Sequence, residues 1–207
     1  LFLNKFAKLK RENSLAKIIA ITGSAGKTSL KNLIKQLLQN FAKTHSSPKS
    51  YNNHLGVPIS LSNLSVEDKY GIFEIGMSKK GEIDNLSKLI KPHIGIITNI
   101  GEAHIENFSN IHGIAKAKSE IINSIEKNGT IILNRDDKFF NFLRKKAKLK
   151  KLKIITFGKN KKSDIFPLIF LKSSYSTRVI FKVKKEKINL EFKNINIYNI
   201  MAALAVI

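Results

Sequence analysis

The chain has 207 residues, of which 37 are lysine or arginine and 15 are aspartate or glutamate, so its formal net charge is +22. This length suits one domain with a small annex and is enough to bury a hydrophobic core. Because cysteine is absent, a disulfide framework and a thiolate zinc site are excluded, and a reducing compartment is permitted. No apolar run approaches the roughly 20 residues that span a membrane.

The positive charge admits a basic nucleic-acid-binding protein as one interpretation. The lysines are nevertheless scattered along the whole chain and accompany many isoleucines and asparagines, a combination that a biased genome also produces. We therefore expect no nucleic-acid partner. A diffuse positive field that attracts anionic nucleotides is the milder consequence of the charge.

Residues 1–17 are basic and mildly amphipathic. They predict a helix that leads directly into the first strand, and the alternative is a transit peptide or a helix on a membrane surface. The chain starts at Leu1 and ends inside an apolar helical pattern. We therefore expect it to be the middle of a longer protein.

Beyond residue 17, short apolar runs alternate with segments of helical periodicity. Strands are predicted at residues 18–22, 71–75, 94–99, 130–134 and 154–157, and helices at residues 27–41, 81–90, 112–125 and 136–148. Strands without polar alternation, separated by helices, favour an α/β fold with a mostly parallel sheet that has helices on both faces. Residues 165–171, 178–184 and 188–192 predict a small antiparallel annex near the C-terminus. Residues 46–61 predict a long functional loop.

A predicted phosphate-binding loop joins the first strand to the first helix of this pattern. It consists of Gly23, Ser24, Ala25, Gly26, Lys27, Thr28 and Ser29. Glycines allow a tight turn that points N–H groups at a phosphate, the helix N-terminus adds partial positive charge, and Lys27 supplies an ammonium group. Thr28 is placed to offer its hydroxyl to magnesium. The spacing is the short form G-x-x-G-K-T-S, because Ile21 stands where the usual P-loop has its first glycine.

Two further residues follow the carboxyl ends of strands, where ligands bind in open parallel sheets. Glu74 lies near the end of an apolar strand, where an unpaired carboxylate is costly, so we predict a magnesium ligand. The alternative for Glu74 is an exposed side chain at a frayed strand end. His104 lies beyond the next predicted strand. By itself it would be interpreted as an ordinary loop histidine, and only its neighbours favour a functional role.

Lys118 lies on the apolar face of a predicted helix. A rotation of about 100° per residue places it in the middle of the isoleucine face of residues 114–125, whereas Lys116 points the opposite way. Such a lysine must snorkel to solvent, lower its pKa or be chemically modified. Snorkelling at the edge of the core is the alternative to a functional role.

The third group of polar residues lies near the end of a later strand and at the start of the final helix. Asp136 is compatible with the N-cap of the helix predicted at 136–148 and also with a contact to a nucleotide ribose. Asn196 and Asn199 could line the edge of a site. By themselves these asparagines do not distinguish one function from another.

Together these segments resemble the Mur ligases of peptidoglycan synthesis and the related folylpolyglutamate synthases. The resemblance is carried, in family order, by residues 21–29, 52–58, 73–77, 81–83, 97–104, 114–121 and 133–137. It implies a central, P-loop-containing ATP-binding domain over residues 18–207 of a three-domain enzyme. It also implies that residues 1–17 form a linker helix from a preceding domain, and that the enzyme is cytoplasmic and monomeric.

The resemblance assigns roles to individual residues. Lys27, Lys118 and His104 would be catalytic. Thr28 and Glu74 would hold one Mg²⁺ ion, and a second would be held by Glu74 with His104 and Lys118, the lysine being carried as a carbamate. ATP would contact residues 23–29 and also Asn134, Asp136 and Asn199, and the acyl substrate would contact Asn52 and Asn53.

The implied reaction is ATP-dependent amide bond formation through an acyl phosphate, adding D-alanyl-D-alanine to UDP-N-acetylmuramoyl-tripeptide. Alternatives are another Mur ligase or a folylpolyglutamate synthase and, from another class, a P-loop nucleotide switch. The chain departs from the family where Ile195 replaces the histidine usual before Asn196, and where the glycine usual after Phe108 is absent. Residues 1–207 alone are expected to bind nucleotide weakly and not to turn over.

Overall fold

The computed structural model describes residues 2–103, 105–173 and 175–207, which form one sheet flanked by helices. The strands are β1 (Lys17–Thr22), β2 (Thr44–Ser46), β3 (Tyr70–Glu74), β4 (Ile94–Ile97), β5 (Thr130–Asn134), β6 (Lys153–Phe157), β7 (Ile165–Lys172), β8 (Thr177–Val183) and β9 (Glu186–Phe192). The helices are α1 (Phe2–Glu12), α2 (Lys27–Gln39), α3 (Gly56–Ser62), α4 (Glu82–Ile90), α5 (Ile111–Lys118), α6 (Phe140–Leu149) and α7 (Ile197–Leu204). None of the described helices is both long and apolar enough to cross a bilayer.

The strand order is β2-β3-β1-β4-β5-β6-β7-β8-β9, and β1 to β6 pair in parallel. This arrangement confirms the predicted α/β class. The antiparallel annex is confirmed as β7, β8 and β9. It continues the main sheet, because Phe157 of β6 pairs in parallel with Ile165 of β7.

Alternate residues of each parallel strand pack against different helices, as side chains on a strand point to opposite faces. Ile18 and Ala20 of β1 join a core cluster that includes residues of α1, α3, α4, α5 and α6. Ile19 and Ile21 join a second cluster with α2 and α7. Both faces of the sheet are therefore covered, and the edge predicted to bind ligands lies at the carboxyl ends of the parallel strands.

The prediction of a loop at residues 46–61 was wrong in its last part, because α3 begins at Gly56. Pro58 argued for a loop, but it lies in the first turn of α3, where a missing N–H costs no helical hydrogen bond. The short strand β2 was also not predicted, since only three residues pair with β3.

The helix predicted at residues 112–125 is α5 followed by a 3-10 helix over Ser119–Ser124. Ser119 Oγ donates a hydrogen bond to the Lys116 carbonyl oxygen at 2.6 Å, a type of bond that competes with regular helix geometry.

The helix predicted at residues 136–148 begins instead at Phe140, and the N-cap interpretation of Asp136 was wrong. The Asp136 carboxylate accepts hydrogen bonds from the backbone N–H groups of Lys159 (2.5 Å) and Asn160 (3.1 Å). These partners come from the turn after β6 and cannot be recognised from the local sequence.

Candidate functional site

The predicted phosphate loop connects β1 to α2 and lines two cavities at the carboxyl edge of the sheet. Gly23, Ser24 and Lys27 line a cavity of about 490 Å³, which Asn52, Asn53, Ala103 and Lys118 also line. Ala25 and Gly26 line a smaller cavity of about 210 Å³, which Asn134, Asn196, Tyr198 and Asn199 also line. The fold thus brings predicted phosphate, substrate and adenosine residues to one edge.

The loop requires glycine at both of its ends. Gly23 and Gly26 have φ angles of 148° and 81°. A Cβ atom on Gly23 would lie 1.9 Å from Thr98 Oγ1, and one on Gly26 would lie 2.9 Å from Asn199 Oδ1. Close approach of the neighbouring side chains, as well as the backbone turn, therefore explains the glycines.

The segment after β4 holds the loop in place. Ser24 N donates to the Asn99 carbonyl oxygen at 3.0 Å, and Ala25 N donates to Asn99 Oδ1 at 3.0 Å. Ser24 Oγ accepts a hydrogen bond from Gly101 N at 2.8 Å. His104 follows this segment but lies outside the described residues, so its predicted roles are not placed.

Lys27 lies over the loop. Its ammonium donates to the Gly23 carbonyl oxygen at 3.0 Å. Burial lowers the pKa of Lys27, and the nearby Glu74 carboxylate opposes that change. A nucleotide phosphate would offer this partly buried ammonium a charged acceptor in place of a neutral carbonyl. Ser29 is exposed on the first turn of α2.

Thr28 and Glu74 meet although 46 residues separate them in the sequence. Thr28 Oγ1 donates to Glu74 Oε2 at 2.7 Å, and Asn52 Nδ2 donates to Glu74 Oε1 at 2.7 Å. Glu74 is only 1% exposed, so the alternative of an exposed strand-end glutamate was wrong. A hydroxyl and a carboxylate are the hard oxygen ligands that Mg²⁺ prefers, and the pair fits such an ion.

The described residues contain no cluster of three or more His, Cys, Asp or Glu side chains. Among the described residues, Glu74 and the Thr28 hydroxyl would hold one Mg²⁺ ion, with further ligands supplied by water and substrate phosphates, as is usual for this ion.

Lys118 is 2% exposed, which confirms its predicted place on the buried face of the helix, and Lys116 is exposed. Burial, together with the positive charge of Lys27, lowers the pKa of Lys118 to about 7. Among the described residues no group accepts a hydrogen bond from its ammonium. A lysine with this pKa is partly neutral near pH 7 and is therefore nucleophilic.

Of the predicted adenosine residues, Asn134 and Asn199 line the smaller cavity, whereas Asp136 does not. Asn199 is buried beside Gly26, and Asn134 Nδ2 donates to the Thr98 carbonyl oxygen at 3.3 Å. Asp136 also accepts a hydrogen bond from the Tyr198 hydroxyl at 3.1 Å. Since its carboxylate already has three donors in this structure, a ribose hydroxyl would have to replace or share one of them.

Sequence reasoning missed Lys31, which is buried next to the site. The signal was its spacing: residues three and four positions after Thr28 and Lys27 lie on the same helix face. Sequence reasoning also gave no structural role to Asn53, whose Oδ1 accepts from Gly56 N at 2.8 Å at the start of α3.

The sequence profile of the Mur ligase middle domain matches residues 21–207. The chain belongs to the Mur ligase middle domain family. It is 38% identical over 92% of its length to a UDP-N-acetylmuramoyl-tripeptide–D-alanyl-D-alanine ligase of Rickettsia prowazekii, of which it covers 40%.

Solved structures agree with membership of the Mur ligase family. MurF from Acinetobacter baumannii superposes with a TM-score of 0.91 at 32% identity, over 99% of this chain and 45% of that one. MurF from Thermotoga maritima, solved with ADP, gives a TM-score of 0.89 at 27% identity, over 99% of this chain and 48% of that one. The chain therefore spans less than half the length of the relatives it matches.

Proposed function

We propose that this chain is the ATP-binding domain of a cytoplasmic, monomeric enzyme that adds D-alanyl-D-alanine to UDP-N-acetylmuramoyl-tripeptide in peptidoglycan precursor synthesis. The observation that carries the proposal is the meeting of Thr28 and Glu74 at 2.7 Å beside the phosphate loop. The named activity of the similar ligase from Rickettsia prowazekii supports the choice of substrates. We also propose that parts of the full-length protein outside residues 1–207 contact these substrates.

The proposed reaction has two steps. A substrate carboxylate oxygen attacks the γ-phosphorus of ATP, the bond to the β-phosphate oxygen breaks, and an acyl phosphate and ADP form. The neutral amine of D-alanyl-D-alanine then attacks the acyl carbon, its nitrogen loses a proton, and phosphate leaves as the amide bond forms. Lys27 would exchange its bond to Gly23 for the transferring phosphoryl group and neutralise its charge.

Magnesium would neutralise further negative charge on the phosphates. Thr28 and Glu74 would hold one ion, and Glu74, His104 and Lys118 would hold a second. The lowered pKa of Lys118 supports its modification as a carbamate, because the neutral amine attacks carbon dioxide and then loses a proton. Asn52 would position both Glu74 and the acyl substrate, with Asn53 beside it.

The test is phosphate release by the full-length protein. We expect release only when ATP, UDP-N-acetylmuramoyl-tripeptide and D-alanyl-D-alanine are all present, and Lys27→Ala should lower kcat by about 10²–10³-fold. Lys116→Ala, on the exposed side of α5, is the control and should leave kcat unchanged. Release with a folate and glutamate instead would favour the folylpolyglutamate synthase alternative. Full activity of Lys27→Ala would refute the proposed site.

A further inference from the structure

Lys31 is a buried cation that none of the proposed catalytic steps uses. It lies on α2 one turn after Lys27, and 1% of it is exposed. Its ammonium donates to the carbonyl oxygen of Ser47 at 2.7 Å and also to that of Lys49. Burial lowers the pKa of Lys31, and the charge of Glu74 opposes that change. A buried ammonium that binds two backbone carbonyls fixes the path of the chain.

The segment that Lys31 holds has an unusual backbone. Lys49 has a φ angle of 43°, in the left-handed region that residues other than glycine seldom adopt. Such a conformation persists only where surrounding contacts impose it. The ammonium of Lys31 supplies such a contact at the Lys49 carbonyl itself.

The same segment, residues 47–52, reaches the proposed magnesium ligands at three points. The Ser47 hydroxyl accepts from Glu74 N at 3.3 Å, the Ser50 hydroxyl lies 3.3 Å from Thr28 Oγ1, and Asn52 Nδ2 donates to Glu74 Oε1 at 2.7 Å. The orientation of the Glu74 carboxylate therefore depends on where this segment lies.

We propose that Lys31 is a positioning residue for the divalent cation: it anchors residues 47–52 so that Asn52 and Ser50 orient Glu74 and Thr28 for the ion. The inference rests on the proposed function, since it deepens the account of the same ATP site. In this proposal Lys31 acts through the carbonyls of Ser47 and Lys49 and is not itself a ligand of the ion or the nucleotide.

The experiment compares Lys31→Met with Lys35→Met in the full-length protein. Methionine is unbranched like lysine but one atom shorter, and it leaves the two carbonyls without their donor. Lys35 lies one turn further along α2 and is the matched control. Lys31→Gln, which keeps one amide donor, serves as a milder variant if Lys31→Met does not fold.

Two readouts are needed. We expect faster hydrogen exchange at the amides of residues 47–53 in Lys31→Met, and an increase of about tenfold or more in the Mg²⁺ concentration that gives half-maximal binding of a fluorescent ADP analogue. Binding of the analogue in EDTA should be unchanged, which a general loss of structure would not allow.

Unchanged exchange and an unchanged Mg²⁺ requirement in folded Lys31→Met or Lys31→Gln would overturn the proposal. The wild-type protein is assayed for ligation separately. Failure of the wild type to ligate would remove the proposed function, while the exchange readout would still decide whether Lys31 anchors the segment.

Discussion

The buried ammonium of Lys118 makes the stability of the folded chain depend on pH. In the folded state burial lowers its pKa to about 7, against an ordinary value of 10.5. Between these values the unfolded chain binds more protons than the folded chain, so the free energy of unfolding rises with pH. Lys118 therefore destabilises the folded chain least at alkaline pH.

Without divalent cations, we expect the Lys118 contribution to increase the free energy of unfolding by about 2–3 kcal/mol between about pH 7.5 and 9.5. Lys118→Met should remove this increase. Urea unfolding of the wild type and the variant at both pH values measures it, with the exposed Lys116→Met as control. An identical pH dependence in the wild type and Lys118→Met would contradict the lowered pKa.

Individual residues differ in how far the sequence identifies them. Lys118 is predictable because one helical period places it among isoleucines. For Lys31 the helical spacing indicates only the face that it shares with Lys27 and Thr28. Its role is not predictable, since the carbonyls it binds belong to residues 47 and 49, in a loop whose path the local sequence does not determine. The N-cap prediction for Asp136 failed for the same reason. Its residue type suits an N-cap, but its carboxylate accepts hydrogen bonds from backbone N–H groups of a turn that is distant in the sequence.

At the scale of elements, the junction between the phosphate loop and β4 is the tightest part of the site. We expect Gly23→Ala to lower the free energy of unfolding by about 1–3 kcal/mol, because its Cβ would overlap Thr98 Oγ1. It should also abolish ADP binding, since the loop cannot keep its turn.

Gly101→Ala is the matched control for that substitution. Its Cβ would lie 3.5 Å from Ser24 Cβ, an ordinary contact, so the change should cost less than about 1 kcal/mol. Urea unfolding and a titration with ADP measure both effects. Equal losses in the two alanine variants would show that the contact with Thr98 is not the cause.

The central strands were predictable because buried parallel strands are continuous apolar runs. The boundaries of the helices were less predictable from the sequence. The change from α5 to a 3-10 helix depends on the Ser119 hydroxyl, and α3 depends on Asn53 and on a proline tolerated in the first turn. These are side-chain contacts with the backbone, which hydrophobic periodicity does not report.

For the whole molecule, the net charge of +22 acts against compactness. Several ion pairs, such as Lys43–Glu67 and Arg178–Glu191, lie on the surface, where each contributes little. Screening by salt should therefore weaken the repulsion among the excess positive charges more than the attraction within the ion pairs. We expect Tm to rise by about 2–4 °C, equivalent to about 1 kcal/mol, when NaCl increases from 20 to 300 mM. Thermal scans at constant pH measure it, and a fall in Tm would show that ion pairs dominate.

The strand order also determines when the nucleotide site can form. Strand β1 lies between β3 and β4, so that Ile19 pairs with Ile72 on one side and with Ile94 on the other. The loop after β1 further needs Asn99 to hold Ser24 and Ala25. A chain leaving the ribosome must therefore expose its phosphate loop, unformed, until about 75 more residues have been made, at about 5–20 residues per second. Formation of the proposed nucleotide site therefore requires β3, β4 and the segment after β4, and the loop in isolation would be only a flexible glycine-containing peptide.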